Sequence, residues 1–178
     1  MRIRQAVEKD VGEIRSLIKD NIVPRNFAGK AGLVEYALQP HNEYICRIKS
    51  ELFLVCQQEN KLSGFFASFT DKFLETLPKS ELTDNILLRT RPFVYGDLII
   101  VSKKNREKYL STSLVYACFE GMKKLEIYKF YGAISHYPFR NLLSIKIAEY
   151  MGLNCEEEFA LSNGLVFGIY SKSLVNEK

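Results

Sequence analysis

The sequence lacks a long apolar run and a strong charge of either sign. No segment approaches the ~20 apolar residues of a membrane-spanning helix, and the first residues, MRIRQAVEKD, lack the apolar core of a signal peptide. The net charge is +4, from 25 Lys and Arg against 21 Asp and Glu, which is too weak to indicate a nucleic-acid partner. These absences favour a cytoplasmic globular protein that binds neither nucleic acid nor a membrane.

Paired cysteines are also absent. The four cysteines form no C-x-x-C motif, and only two histidines are available to join them on a metal. A metal site is therefore not expected. We interpret the cysteines as free, mostly buried thiols in a reducing compartment. Cys118 lies on the apolar stripe of a predicted helix, where a thiol is more often a core residue than a nucleophile.

The hydrophobic pattern predicts an α/β (α+β) fold in which helices flank a mixed, mostly antiparallel sheet. A length of 178 residues suits one domain, which we expect to span residues 1–178. Alternating or wholly apolar segments predict strands at 1–7, 51–58, 62–69, 93–101, 130–136, 155–162 and 165–175. Helical periodicity predicts helices at 8–22, 29–50 (broken near Pro40), 110–125 and 140–152. Residues 71–92 are expected to be an irregular or partly helical connection.

Glycine is missing from the segment where a phosphate-binding turn would need it. The apolar strand ending at Val101 passes through the basic stretch SKKNREKY into a helix, and no glycine occurs before Phe119. A helix N-terminus with nearby basic residues favours an anion. The alternative is a solvated, charged loop that binds nothing.

Four segments in order resemble the GNAT superfamily of acetyltransferases. The first strand and helix carry Arg4, Ala6 and Asp10 at the family's offsets, and Asp10 and Glu13 are predicted to form a capping box. Arg106 lies five residues after Val101, where the family's [QR]-x-x-G-x-[GA] motif begins, and Leu114 follows at an apolar helix position. The segment NLLSIKIAEYMG and the closing hairpin across an Asn-Gly turn complete the resemblance.

The resemblance implies transfer of an acyl group, which we expect to be acetyl, from coenzyme A to a small-molecule or peptide amine. The backbone of the central strand would pair with the pantetheine arm, and the amides at the next helix start would hold the pyrophosphate. The residues implied in donor binding are Ile99, Ile100, Val101, Arg106, Glu107, Lys108, Tyr109, Leu110, Ser111, Thr112, Asn141 and Ser144. A homodimer is compatible with the sequence.

The sequence departs from the family pattern at two sites, the phosphate-binding turn and the general acid. Tyr109 replaces the first motif glycine, which suggests that its Cβ must point away from the ligand in an already helical turn. Ser111 replaces the second glycine and is a milder change. Ala148 replaces the tyrosine that protonates the leaving thiolate in many relatives, and Tyr150 lies about 200° further around the helix. Together these departures favour an alternative, a non-catalytic GNAT-fold binding domain.

Two residues are candidates for the general base, His136 and Asp97. His136 comes at the end of a predicted strand beside the cleft and titrates near neutrality. Asp97 and Tyr95 share the parity of Val101 on the central strand, so they are also expected to face the cleft. A solvent-facing histidine and an edge carboxylate are the alternatives. The acceptor remains unidentified, because the segments that would shape its site, 25–50 and 69–92, have little clear pattern.

Overall fold

The computed structural model describes residues 1–27, 29, 31–105 and 109–174. The strands of these residues are β1 (Arg2–Gln5), β2 (Ile22–Val23), β3 (Leu33–Val34), β4 (Leu54–Gln58), β5 (Lys61–Thr70), β6 (Val94–Val101), β7 (Lys129–Tyr137), β8 (Asn154–Ala160) and β9 (Val166–Ser173). The α-helices are α1 (Val11–Lys19), α2 (His41–Arg47), α3 (Asp71–Leu74), α4 (Glu81–Leu87), α5 (Leu110–Lys124) and α6 (Leu142–Tyr150).

Seven strands form one sheet, in the order β1-β4-β5-β6-β7-β9-β8. Within this sheet β6 and β7 run parallel, and every other neighbouring pair is antiparallel. β1 lies at an edge, and the β4–β5 and β8–β9 hairpins lie on either side of the parallel pair. The predicted fold class, a mixed and mostly antiparallel sheet flanked by helices, is confirmed.

The helix predicted over residues 29–50 is wrong for its first half. Only α2 is helical, and Leu33–Val34 instead pairs in parallel with Ile22–Val23 in a separate two-stranded sheet. Gly29 and Gly32 disfavour a helix in the first half. Pro40 is extended and immediately precedes α2. Further along, the connection at 71–92 contains two short helices, α3 and α4, whose N-termini are capped by Thr70 and Ser80.

The predicted capping box of the first helix is also wrong. Asp10 has helical dihedrals, and its carboxylate accepts hydrogen bonds from Arg4 at 2.6 and 2.9 Å and from the Val7 N–H at 2.8 Å. Glu13 accepts from the Leu62 N–H at 2.8 Å instead of reaching back. The family offsets of Arg4 and Asp10 therefore correspond to an ion pair that joins the first strand to the first helix.

The sheet separates two hydrophobic cores, because alternate side chains of each strand face opposite sides. Phe65 and Phe69 of β5 belong to the core beneath α1 and α2, whereas Phe66 belongs to the core beneath α5 and α6. Two of the four cysteines, Cys56 and Cys118, are buried, and the other two are exposed. Across the described ranges, no helix combines the length and apolar character needed to cross a membrane.

Candidate functional site

The central sheet opens between its two parallel strands. β6 and β7 pair only where Val94, Tyr95 and Gly96 lie opposite Phe130, Tyr131 and Gly132. Both strands continue well beyond this point, β6 to Val101 and β7 to Tyr137. The strands therefore diverge, and one edge of β6 faces a wedge-shaped cleft.

A bulge in β6 marks the start of the opening. Gly96 and Leu98 pair with the consecutive residues Ser68 and Ala67 of β5, which leaves Asp97 as the extra residue. Bulges bend a strand and redirect its side chains. Tyr95 belongs to the core beneath α1 and α2, whereas Val101 packs against the opposite core. The expected common parity of Tyr95, Asp97 and Val101 is therefore wrong.

Gly96, at the apex of the cleft, lies where the packing leaves no room for a side chain. A Cβ atom built at this position would lie 2.6 Å from the Phe130 ring and 2.8 Å from the Phe66 ring. The phenyl rings of the neighbouring strands therefore close the narrow end of the cleft over the glycine backbone.

Two adjoining cavities fill the cleft. The outer cavity has a volume of about 560 Å³ and lies between the cleft end of β6, the start of α5 and the start of α6. The inner cavity, of about 260 Å³, extends from there toward the apex. The cavities share six lining residues, Gly32, Leu33, Ile99, Asn141, Ser144 and Ile147. Together they form one path from the surface to the apex.

Most of the predicted donor-binding residues that can be located line the outer cavity. They are Ile99, Ile100, Val101, Tyr109, Ser111, Thr112, Asn141 and Ser144. Leu110 is not among them, because its side chain is packed into the core beneath α5 and only 1% of it is exposed. Arg106, Glu107 and Lys108 lie outside the described residues.

Tyr109 occupies a conformation that suits glycine. It precedes α5 with φ 53° and ψ 19°, in the left-handed region, and 80% of the residue is exposed. The expectation of an already helical turn at this position is therefore wrong. Its carbonyl accepts hydrogen bonds from the hydroxyls of Thr112 at 2.7 Å and Ser113 at 3.1 Å. The first N–H groups of α5 have no partner inside the helix, so this end attracts an anion.

Asn141 begins α6 at the junction of the two cavities. Its side chain accepts a hydrogen bond from the Ser144 N–H at 3.1 Å, which is an N-cap. Its own N–H donates to the Ser135 carbonyl at 3.0 Å and ties the helix start to β7. Asn141 therefore holds the first turn of α6 against the open end of the cleft.

Asp97 faces the inner cavity from the bulge. Its carboxylate is 2.9 Å from Arg47, which also pairs with Glu43 at 3.0 Å. Burial raises the pKa of Asp97 above its ordinary value, although the charge and hydrogen bond of Arg47 act in the opposite direction. Tyr36 and Tyr95 line the same part of the cavity. This cluster combines a carboxylate with aromatic surfaces, which suits an amine.

His136 does not face the cleft. Its Nδ1 lies 2.6 Å from Glu158 and its Nε2 lies 3.1 Å from the Tyr170 hydroxyl. Only 6% of the histidine side chain is exposed, and the ring lies over Gly168, where a Cβ would be 2.4 Å from Nε2. Neither cavity is lined by His136. The expectation of a cleft-facing histidine is therefore wrong.

Several cavity residues were missed by reasoning from the sequence. Lys146 and Tyr150 of α6 line the outer cavity, and Tyr150 is 72% exposed. Ala148 lines the inner cavity instead. Ala148 and Tyr150 therefore face different cavities, as their angular separation on the helix predicts. The periodicity of α6 could have indicated Lys146 and Tyr150, which follow the cavity residue Leu143 by three and seven residues on one face of the helix.

Comparison with solved structures identifies the architecture. Ard1 from Thermoplasma volcanium matches with a TM-score of 0.71 at 11% identity, covering 98% of both chains. The chain has the GNAT fold. A GNAT structure from Salmonella typhimurium, yncA, described as a putative acetyltransferase with its cofactor acetyl-CoA, matches with a TM-score of 0.67 at 12% identity, covering 100% of this chain and 96% of that one.

A third structure is described as the NatC complex bound to Gag peptide and CoA. It matches with a TM-score of 0.67 at 13% identity and covers 98% of both chains. No protein-family model and no curated protein matches the sequence. The similarity therefore lies in the fold, and several of the neighbouring GNAT structures are described as acetyltransferases.

Proposed function

We propose that the chain transfers an acyl group from a coenzyme A thioester to an amine. The observation that carries the proposal is the path through the opened sheet, which joins the start of α5 to Asp97. A group bound at the helix start and a group bound beside Asp97 would meet inside the cleft. The GNAT neighbours described with acetyl-CoA and with CoA support this type of donor.

The outer cavity suits the coenzyme. Its phosphates would be attracted by the N-terminus of α5, which has 15 residues, and by Lys146 of α6. The unpaired edge of β6 at Ile99–Val101 offers backbone hydrogen bonds to the amides of a pantetheine arm. Asn141 lies where the thioester end would enter the inner cavity.

Asp97 is the proposed general base. An amine is mostly protonated at neutral pH and must lose a proton before it attacks. The raised pKa of Asp97 makes it a better proton acceptor than an ordinary carboxylate. Asp97 accepts a proton from the ammonium, the neutral amine then forms the C–N bond as the C–S bond breaks, and the second proton of the amine passes to the departing thiolate. A thiol has a pKa near ~8.5, so the thiolate leaves without a dedicated acid at Ala148.

Release of free thiol tests the proposal directly. Purified protein is incubated with acetyl-CoA or a longer acyl-CoA and a panel of small-molecule and peptide amines, and thiol formation is followed with a thiol-reactive dye. We expect amine-dependent release. No release with any amine, together with calorimetric binding of CoA, would support the non-catalytic binding domain that the strained Tyr109 and the missing tyrosine at Ala148 favour.

A further inference from the structure

The inner cavity extends from the apex of the opening into the space beneath α5 and α6. Its part beneath α5 and α6 is lined by Phe66, Val115, Phe130, Ala148, Met151 and Leu153. All six belong to the hydrophobic core on that side of the sheet, and none is more than 7% exposed. The coenzyme path therefore runs from a polar outer cavity into an apolar space.

The side chains that line this space are apolar apart from Tyr170, whose hydroxyl lies 3.1 Å from His136 Nε2. A buried water needs about two to four polar partners. The six side chains beneath α5 and α6 offer none, since their only heteroatom is the sulfur of Met151. The space is suited to a hydrocarbon group.

The size of the space exceeds the needs of acetyl. A cavity of roughly 150 Å³ holds a benzene molecule, whereas the whole inner cavity has about 260 Å³. Part of this volume lies on the other side of the sheet, beside Asp97 and Tyr36, where the amine would bind. An acetyl group has one carbon beyond its carbonyl and would leave the apolar part mostly empty.

Ala148 is the residue that keeps this space open. Ala148 is 6% exposed and lines the inner cavity from α6. Met151 and Leu153 line the same part of the cavity. A larger side chain at this position would project into the space between α6 and the sheet.

We infer that the donor is a coenzyme A thioester with a short apolar acyl chain, of about four to six carbons by comparison with the benzene-sized cavity, in preference to acetyl. The inference rests on the proposed donor site. The carbonyl stays near the apex of the opening, and the alkyl chain enters the apolar space beneath α5 and α6. Each methylene buried there favours binding by about fourfold.

Calorimetric titration with CoA, acetyl-CoA, butyryl-CoA and hexanoyl-CoA tests the inference without requiring turnover. We expect at least a tenfold gain in affinity from acetyl-CoA to butyryl-CoA or hexanoyl-CoA. Ala148→Phe should abolish that gain and leave the affinity for CoA itself unchanged. Ala148→Val, a smaller change that the core tolerates more easily, should reduce the gain partially.

Ala160→Phe is the matched control, because Ala160 is exposed on the edge strand β8 and lines neither cavity. This variant should show the same increase in affinity with acyl-chain length as the wild type. Equal affinities for acetyl-CoA and hexanoyl-CoA in the wild type, or a series unaltered in Ala148→Phe and Ala148→Val, would overturn the inference. Binding that depends on acyl-chain length, without release of thiol, would support the inferred acyl site and overturn the proposed transfer reaction. Turnover with acetyl-CoA alone would support the transfer reaction and overturn the inferred preference for a longer acyl chain.

Discussion

At the scale of single residues, Asp97 is the side chain whose removal should affect turnover most. Asp97→Asn keeps a hydrogen-bond acceptor for Arg47 but cannot take a proton, so turnover should fall by roughly a hundredfold or more. The wild-type rate should rise with pH through a limb above 3.8, the ordinary value for aspartate, because the base must be ionised and its pKa is raised. The pH dependence of kcat is the measurement.

Glu43→Gln provides the control for this substitution. Glu43 contacts the same Arg47 but lines neither cavity, so its loss disturbs the ion pair without removing the base. Similar losses of turnover in Asp97→Asn and Glu43→Gln would indicate that Asp97 only positions Arg47. His136→Ala should leave turnover nearly normal, since His136 itself lines neither cavity. Its ring contacts Glu158 and Tyr170, and of these two Tyr170 lines the inner cavity.

The strained backbone at Tyr109 gives a second prediction. A residue with a Cβ in the left-handed conformation lowers the free energy of unfolding by about 1–2 kcal/mol. Glycine avoids this strain, but the greater freedom that it gives the unfolded chain lowers the free energy of unfolding by roughly 0.4–1 kcal/mol. Tyr109→Gly should therefore raise the free energy of unfolding by up to about 1 kcal/mol and strengthen CoA binding. Denaturant unfolding and calorimetry measure the two effects.

Tyr109→Ala separates the backbone from the ring, because alanine removes the aromatic group and retains the Cβ. If alanine strengthens CoA binding as much as glycine does, the tyrosine ring and not the dihedral strain is the obstacle.

At the scale of an element, the start of α6 combines a structural and a binding role. Asn141→Ala removes the N-cap and should lower the free energy of unfolding by about 1 kcal/mol, and it should also weaken CoA binding. Asn141→Asp keeps an oxygen for the Ser144 N–H but adds a negative charge at the junction of the two cavities, where the thioester end would enter. It should retain stability and lose affinity. Unchanged CoA affinity in both variants would leave Asn141 as a cap alone.

The elements with strong periodicity could be predicted from the sequence, and the short ones could not. In α5, Leu110, Leu114, Cys118 and Met122 are buried as their spacing of four residues predicts. The described part of residues 29–50 contains only a two-residue strand and a helix of seven residues, which are too short for a period to emerge. Arg47, the partner of Asp97, is 50 residues away and has no local signal that would connect the two.

The position of each candidate base depended on features invisible in the pattern of the chain. An alternating strand predicts one common face for Tyr95, Asp97 and Val101, but the bulge at Asp97 reverses the parity of the residues that follow. A second irregularity occurs at His136, between the paired residues Ser135 and Tyr137. Single-residue insertions of this kind are not marked by a distinct residue type in this sequence.

At the scale of the whole molecule, the glycine apex of the opening packs against two rings of the core beneath α5 and α6. Gly96→Ala would place a Cβ within 2.6 Å of Phe130 and 2.8 Å of Phe66, so it should lower the free energy of unfolding by about 1–3 kcal/mol. Gly12→Ala is the control, because a Cβ there meets no atom within 4 Å. Alanine at this second residue of α1 should raise stability by up to about 1 kcal/mol. Equal responses of the two variants to denaturant would contradict tight packing at the apex.

The divergence of β6 from β7 also determines which amides the solvent can reach. Among the described strands, none pairs with β6 on its cleft side beyond Gly96, so amides directed that way should exchange their protons rapidly in the free protein. A pantetheine arm lying along Ile99–Val101 would slow that exchange, while amides bonded to β5 would keep their protection. The coenzyme would thus serve as a temporary neighbouring strand, and each release of product would expose the same edge again.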